Sequence, residues 1–213
     1  MTDADLSAGS RRWHVLVALV AAIALVSQTV INLTTPGRSV VNLVSYFTIQ
    51  SNVLVLAGSA AIALGGASGR RWFAVLRLAG LVGITVTGLV YVTLLRGTFE
   101  LAGYEWWVDK LLHYATPVLY VLGFLLFRPR TRFDGGDVLR FLLWPVLWVT
   151  YTLLRGGIAR PHSLGFPSDS NYPYPFLDVD VHGYAGVAVN ALGITVLLLA
   201  VAALYLRLGR GRA

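Results

Sequence analysis

The 213-residue chain is 56% hydrophobic and 13% charged, against roughly 25% charged for a soluble domain, so it reads as an integral membrane protein. It has no cysteine, which excludes disulfides and thiolate metal sites. Its formal charge of +7 is not arranged as a basic stripe interleaved with aromatics, the pattern a nucleic-acid groove requires.

Six stretches are long and apolar enough for spanning helices of roughly 20 residues, at about 13–33, 44–64, 73–95, 111–127, 138–155 and 183–206. The sequence therefore predicts a single all-α polytopic membrane domain over residues 1–213, a six-transmembrane-helix bundle. Arg11 and Arg12 precede the first stretch, but the run is long for a signal peptide and no small-x-small cleavage site follows, so it reads as an uncleaved helix. Of the 17 Lys and Arg, one side collects 12: Arg11, Arg12, Arg70, Arg71, Arg77, Arg128, Arg130, Arg132, Arg140, Arg207, Arg210 and Arg212. The other side has Arg38, Arg96, Lys110, Arg155 and Arg160. The positive-inside rule then puts both termini in the cytoplasm (N-in, C-in) and a long loop between helices 5 and 6 outside. The net charge is thus a topology signal, with room for contact with anionic lipid.

With that orientation the polar side chains collect at one depth. The first stretch carries Gln28 and Asn32, one turn apart on one face. The second, VSYFTIQSNVL, opens with Thr48, Gln50, Ser51 and Asn52. Thr85, Thr87, Tyr91 and Thr93 lie late in the third, and His113 opens the fourth. Thr150, Tyr151, Thr152 and Arg155 close the fifth, while Asp178, Asp180, His182 and Asn190 open the sixth. The inner halves, such as VLVALVAAIA and LGITVLLLAVAALYL, are nearly pure hydrocarbon. Polar groups at membrane depth face a bundle interior or a wet cavity, so the pattern predicts a polar chamber near the outer surface. Each Ser, Thr or Asn taken singly is better accounted for as interhelical hydrogen-bond glue, about 0.6 kcal/mol apiece.

His113 stands apart, because an ionisable group inside a span is by default a functional candidate. In LLHYATPVLY, Pro117 lacks the N–H that the His113 carbonyl needs, so the helix should loosen there. Asp109, one turn earlier, is placed to orient the imidazole, a group that titrates near neutrality. The loop GGIARPHSLGFPSDSNYPYPFLDVDVHGYAG has prolines at 161, 167, 173 and 175 and several aromatics, which predicts a stiff segment folded back on the bundle. Its Asp178, Asp180 and His182 face one side only if extended, where a divalent ion is an option; the preferred reading is that one of them pairs with Arg155 or His113. Gly80 and Gly83 read as close helix packing. The chain contains no G-x-S-x-G elbow, H-E-x-x-H or Gly-rich phosphate loop.

Taken together, YFTIQSN, HYATP and YPYPFLDVDVHGY resemble the bacterial six-span relatives of the androgen-induced, FAR-type membrane proteins, over residues 13–206. The eukaryotic members are threonine hydrolases of fatty-acid esters of hydroxy fatty acids, with one intramembrane threonine, one intramembrane histidine and cytosolic termini. The resemblance implies Thr48 as nucleophile and His113 as base, with Ser51 a rival nucleophile one turn on. Gln50, Ser51, Asn52 and Asn190 are then candidate oxyanion donors, and Arg155, Asp178 and His182 candidate substrate contacts at the same level. No cofactor is expected, and the partners are membrane lipids and a lipid-ester substrate. The implied location is the bacterial cytoplasmic membrane, with the site toward the outer leaflet. The competing expectation is a non-enzymatic membrane protein that binds or transports a lipid or small molecule, and a third is a metal enzyme built on Asp178, Asp180, His182 and His113.

A C-terminal green fluorescent protein fusion is expected to fluoresce in bacterial cells, and a C-terminal alkaline phosphatase fusion to be inactive. The reverse pattern would overturn the predicted orientation.

Overall fold

In hydrocarbon, backbone amides can be satisfied only in helices or closed barrels, and the all-helical chain is compatible with that constraint. The computed structural model describes residues 7–65, 70–98, 100–127, 131–160, 163–166 and 169–210, and these are 83% helical with no strands. Arg128, Arg130 and Arg212 of the charge pattern, and Pro161 and Pro167 of the loop, lie outside the described residues.

Four helical segments are long and apolar enough to cross a membrane. They are α1 (Ala8–Thr34), α4 (Arg71–Val90) with its π-helical extension Tyr91–Leu95, α7 (Gly135–Ile158) and α8 (Val179–Arg210). The two remaining predicted spans are built differently. The stretch 44–64 is broken at Tyr46 (φ −74°, ψ 129°) into α2 (Val40–Ser45) and α3 (Phe47–Ala63). The 17 residues of α3 reach about 26 Å at 1.5 Å per residue, short of the ~30 Å hydrocarbon core. The stretch 111–127 is the end of a longer unit: α5 (Gly103–Lys110), a π turn at Leu111–Ala115, and α6 (Thr116–Leu126). In α5 the exposed Tyr104, Trp106 and Trp107 stand beside Glu105 and Lys110, the amphipathic aromatic mix of a membrane–water boundary.

α4 is the centre of the bundle. Its Leu78, Leu81, Val82 and Ile84 are wholly buried, and α3, α6, α7 and α8 all pack against it. Small residues allow this. A Cβ on Gly83 would meet the Trp144 ring of α7 at 2.8 Å and the Ser51 Cβ of α3 at 3.3 Å. Trp144 in turn stacks on Phe47 (centroids 4.5 Å apart, 13° between planes) and donates Nε1–H to Gln50 Oε1 at 2.7 Å. The start of α7 is a capping box. Asp134 Oδ1 accepts from the Asp137 N–H and Asp137 Oδ2 from the Asp134 N–H, both at 3.0 Å. Arg71 bridges this corner to α4, 2.6 Å from Asp134 and 3.2 Å from Asp137, and its guanidinium holds the Asp134 carboxyl below the ordinary carboxylate range.

At the end of the bundle near the chain termini the structure corrects the expectation of pure hydrocarbon. His14 is buried with Nδ1 2.8 Å from the Ser10 carbonyl. Arg77 is buried too, donating to Thr131 Oγ1 at 2.9 Å with its guanidinium over the Phe73 and Phe124 rings. The hydroxyls of Ser59 and Tyr120 are also interior. These side chains lie within the predicted stretches, and folding turns them inward, where flat aromatic rings accept the arginine.

The described part of the 5–6 loop does fold back on the bundle, burying Phe166, Tyr172, Tyr174 and Leu177. Asn171 pins it, accepting from the Ser163 and Leu164 N–H groups at 3.2 Å and donating to the Arg160 carbonyl at 3.0 Å. Asp178 then caps α8, accepting from the Asp180 and Val181 N–H groups at 2.9 and 3.3 Å and from the Ser170 hydroxyl at 2.7 Å. α8 makes one turn and redirects at Gly183 (φ 64°, ψ 167°), a conformation suited to glycine. The Asp178, Asp180, His182 run is therefore a helical turn, and the alternation that a one-sided metal site needs is lost. Among the described residues no three His, Asp or Glu side chains gather as a metal site.

Gly83→Ala is expected to push Trp144 from its seat and lower stability by about 1–3 kcal/mol, read as a drop in the thermal midpoint in detergent. An unchanged midpoint would mean that Trp144 relaxes freely.

Candidate active site

The site starts from a missing hydrogen. Pro117 cannot donate to the His113 carbonyl, and the helix widens into the π turn Leu111–Ala115 immediately before it. The freed carbonyl points at Gly88 of α4, where a Cβ would lie 3.6 Å from the oxygen and 3.5 Å from the Pro117 Cβ. The opposite helix carries its own π turn, Tyr91–Leu95, at this level. Single π turns of this kind are frequent at functional sites.

The His113 ring is held on three sides. Nδ1 lies 2.9 Å from Asp109 Oδ1 and 3.0 Å from the Asp109 carbonyl. Tyr91 stacks on the ring with centroids 4.0 Å apart and 17° between planes, and its hydroxyl donates to Asp109 Oδ2 at 2.5 Å. Lys110 Nζ, 2.7 Å from the same oxygen and 3.0 Å from the Tyr91 hydroxyl, balances the carboxylate charge. Nε2 faces Thr48 Oγ1 at 3.3 Å.

Thr48 is the second residue of α3, a helix whose start lacks a side-chain cap. Its N–H therefore has no partner within the helix, and it donates to the Tyr174 hydroxyl at 3.3 Å. The same phenol lies 3.3 Å from Thr48 Oγ1. With the imidazole neutral, donor and acceptor bookkeeping gives one direction: Tyr174 O–H to Thr48 Oγ1, Thr48 O–H to His113 Nε2, and His113 Nδ1–H to Asp109. That order leaves the Nε2 lone pair facing the threonine hydroxyl.

The other predicted substrate contacts take different places. Ser51 is wholly buried, 3.0 Å from the Thr48 carbonyl as donor and 2.9 Å from Thr87 Oγ1, so its hydroxyl is engaged with α4. Asn52 donates Nδ2–H to the Thr48 carbonyl at 2.8 Å and to the Leu112 carbonyl at 3.3 Å, riveting α3 to the π turn. Gln50 donates to the Val44 carbonyl at 2.9 Å and accepts from Trp144. Arg155 donates to Asn42 Oδ1 at 2.6 Å and Ser45 Oγ at 3.0 Å, so it clamps α2 and meets neither Asp178 nor His113. Asn42 also donates to the Leu164 carbonyl of the loop. Asn190 donates to the Phe176 carbonyl at 2.9 Å, and His182 is exposed. These groups bond to backbone and to each other because unpaired polar groups are costly in an apolar medium.

Beside Thr48 lies a side-open cleft bounded by α4, α7, α8 and the loop, whose enclosed part is about 100 Å³. In place of the expected polar chamber it is an apolar space, walled by residues such as Val86, Leu142, Trp148, Ile194 and Leu198. Its hydroxyls belong to Thr48, Thr87, Tyr174 and Thr195. Of the predicted site residues only Thr48 lines it. Sequence reasoning passed over Tyr174, whose signal was the Y-P-Y-P run with an aromatic held between two prolines, and it left Tyr91 as one polar residue among several. No family model, curated protein or solved structure matches the chain.

Tyr174→Phe removes both bonds to Thr48 while keeping the ring. It is expected to cost about 0.5–1.5 kcal/mol in thermal unfolding, and no change in midpoint would show that the phenol oxygen contributes nothing to holding the start of α3.

Proposed function

We propose that this protein is an intramembrane hydrolase of lipid esters in which Thr48 is the nucleophile and His113 its general base. The observation that carries the reading is the 3.3 Å approach of Thr48 Oγ1 to His113 Nε2, on a ring whose other nitrogen is held by Asp109. A threonine hydroxyl is a weak nucleophile until a base within hydrogen-bond reach takes its proton, and a carboxylate on Nδ1 stabilises the imidazolium that results.

Nε2 accepts the hydroxyl proton as Oγ1 bonds to the ester carbonyl carbon, and the carbonyl π electrons move onto oxygen. The Thr48 N–H, at the positive end of α3, and the Tyr174 phenol are the donors nearest that oxyanion. The intermediate collapses, the ester C–O bond breaks, and the Nε2 proton passes to the departing alcohol. Water then attacks the acyl-threonine with His113 again as base, releasing the acid and restoring Thr48. Asp109 and Tyr91 act as positioning residues. Ser51 fits the nucleophile role less well, since its hydroxyl is bonded to Thr87 and the Thr48 carbonyl.

The resemblance to FAR-type proteins supports fatty-acid esters of hydroxy fatty acids as the substrate class. It also supports six spans, with α2–α3 and α5–α6 completing the bundle as the two shorter ones, both termini cytoplasmic, and the site toward the outer leaflet of a bacterial cytoplasmic membrane.

A fluorophosphonate probe is expected to label the detergent-purified protein. Thr48→Ala abolishes labelling, Ser51→Ala keeps it, and His113→Ala slows it by about 10²–10⁴-fold. Labelling lost in Ser51→Ala and retained in Thr48→Ala would move the nucleophile. Absence of labelling and of ester turnover, with intact lipid co-purifying, would replace the hydrolase reading with a lipid-binding one.

A further inference from the structure

Thr48 lines the cleft and His113 does not, and this separates the two halves of an ester. His113 Nε2 must reach the leaving oxygen to protonate it, so the alcohol half has to lie on the side of His113, Asp109 and Tyr91. None of those three residues lines the cleft. The carbonyl carbon, bonded to Thr48 Oγ1, then directs its own chain the other way, into the space between α4, α7 and α8.

That space has the form of a chain site. α8 ends beside Thr131 and Phe133, where α7 is about to begin, so the two helices run antiparallel along α4. Trp148 of α7 meets the Tyr174 ring at 6.0 Å, beside Thr48. Leu142 and Leu198 are the lining residues of α7 and α8 farthest from that end. From Ala191 to Leu198 the α8 wall runs about 10 Å at 1.5 Å per residue. The cleft is also open sideways: Val146 of α7 is 55% exposed and Thr195 of α8 is exposed, yet both line it. Both helices are long and apolar enough to cross a membrane, so this mouth faces lipid. Pro145, also in the wall, withholds an amide from the Phe141 carbonyl within α7.

We infer that the α4–α7–α8 cleft is the acyl-chain site, taking a single aliphatic chain sideways from the lipid between α7 and α8 and holding the acid half of the ester with its carbonyl at Thr48. Leu142 and Leu198 form its floor and set the acyl length. The acyl-enzyme keeps its chain in the cleft while the alcohol departs on the His113 side. The assignment of halves rests on Thr48 and His113 acting as proposed above, whereas chain occupancy does not.

Two measurements on the full-length protein separate these. In the first, Leu198→Trp is compared with wild type on esters of one alcohol with lengthening acyl chains, and on esters of one short acid with lengthening alcohols. The expected result is a loss of about tenfold or more in kcat/KM for long acyl chains only. A loss confined to long alcohols, or no loss in either series, overturns the inference. In the second, Thr48→Ala protein in detergent is irradiated with a long-chain fatty acid bearing a terminal diazirine. Adducts are expected within residues 142–149 and 191–198, and adducts elsewhere overturn the site. Adducts in the cleft from a wild-type protein that cleaves no ester would keep the chain site and refute the hydrolase reading.

Discussion

The geometry of the site depends on one absent hydrogen bond. Because Pro117 offers no N–H, the turn before it relaxes from α to π, and a π turn swings its side chains out of the helical register. His113 sits within that turn, with its ring beside the uncapped start of α3. The same turn brings Nδ1 onto Asp109, the residue whose carboxylate also meets Tyr91 and Lys110. Gly88 completes the arrangement, since a side chain there would stand against the freed carbonyl and the proline ring.

Around this point the bundle divides into a polar wall and an apolar space. Asn52, Gln50, Asn42 and Arg155 use their polar atoms to join α3, α2, the π turn and α7. They are therefore architecture, and what they hold in place is Thr48. The α7 side is fixed by a second coupling: Trp144 is stacked on Phe47, bonded to Gln50 and seated over Gly83. Thr48 thus sets its hydroxyl at an apolar cleft, with an oriented imidazole 3.3 Å away that does not itself line the space. Interfacial aromatics in α5 and the aromatic loop close the same end of the molecule.

The sequence pattern carried the helical class and the shared depth of Thr48 and His113 without help from tertiary structure. Long apolar runs have few other solutions in a bilayer, and the effect of Pro117 on His113 is a local covalent fact. Other readings failed for reasons that are equally physical. The run 44–64 looks continuous in hydropathy, but Tyr46 is extended and the helix restarts there. The polar chamber was a level of depth, and depth along a helix says nothing about azimuth. Residues at one height turned out to face one another or backbone carbonyls, leaving the open space to aliphatic side chains. The Asp178, Asp180, His182 run looked like a ligand set, but an aspartate before a helix finds free N–H groups closer than any ion.

By itself, then, the sequence determined an all-helical chain with helices apolar enough to cross a membrane, that His113 lies where a helix must loosen, and that Thr48 and His113 share a level, because composition, proline chemistry and rise per residue are properties of the chain alone. Tertiary structure decided which hydroxyl the imidazole meets, that Tyr174 reaches back from a distant loop to Thr48, and that the empty space is apolar and opens between α7 and α8. Those are facts of azimuth and of contacts between segments far apart in the chain, and they are set only when α3, α4, α7 and α8 pack around their small residues.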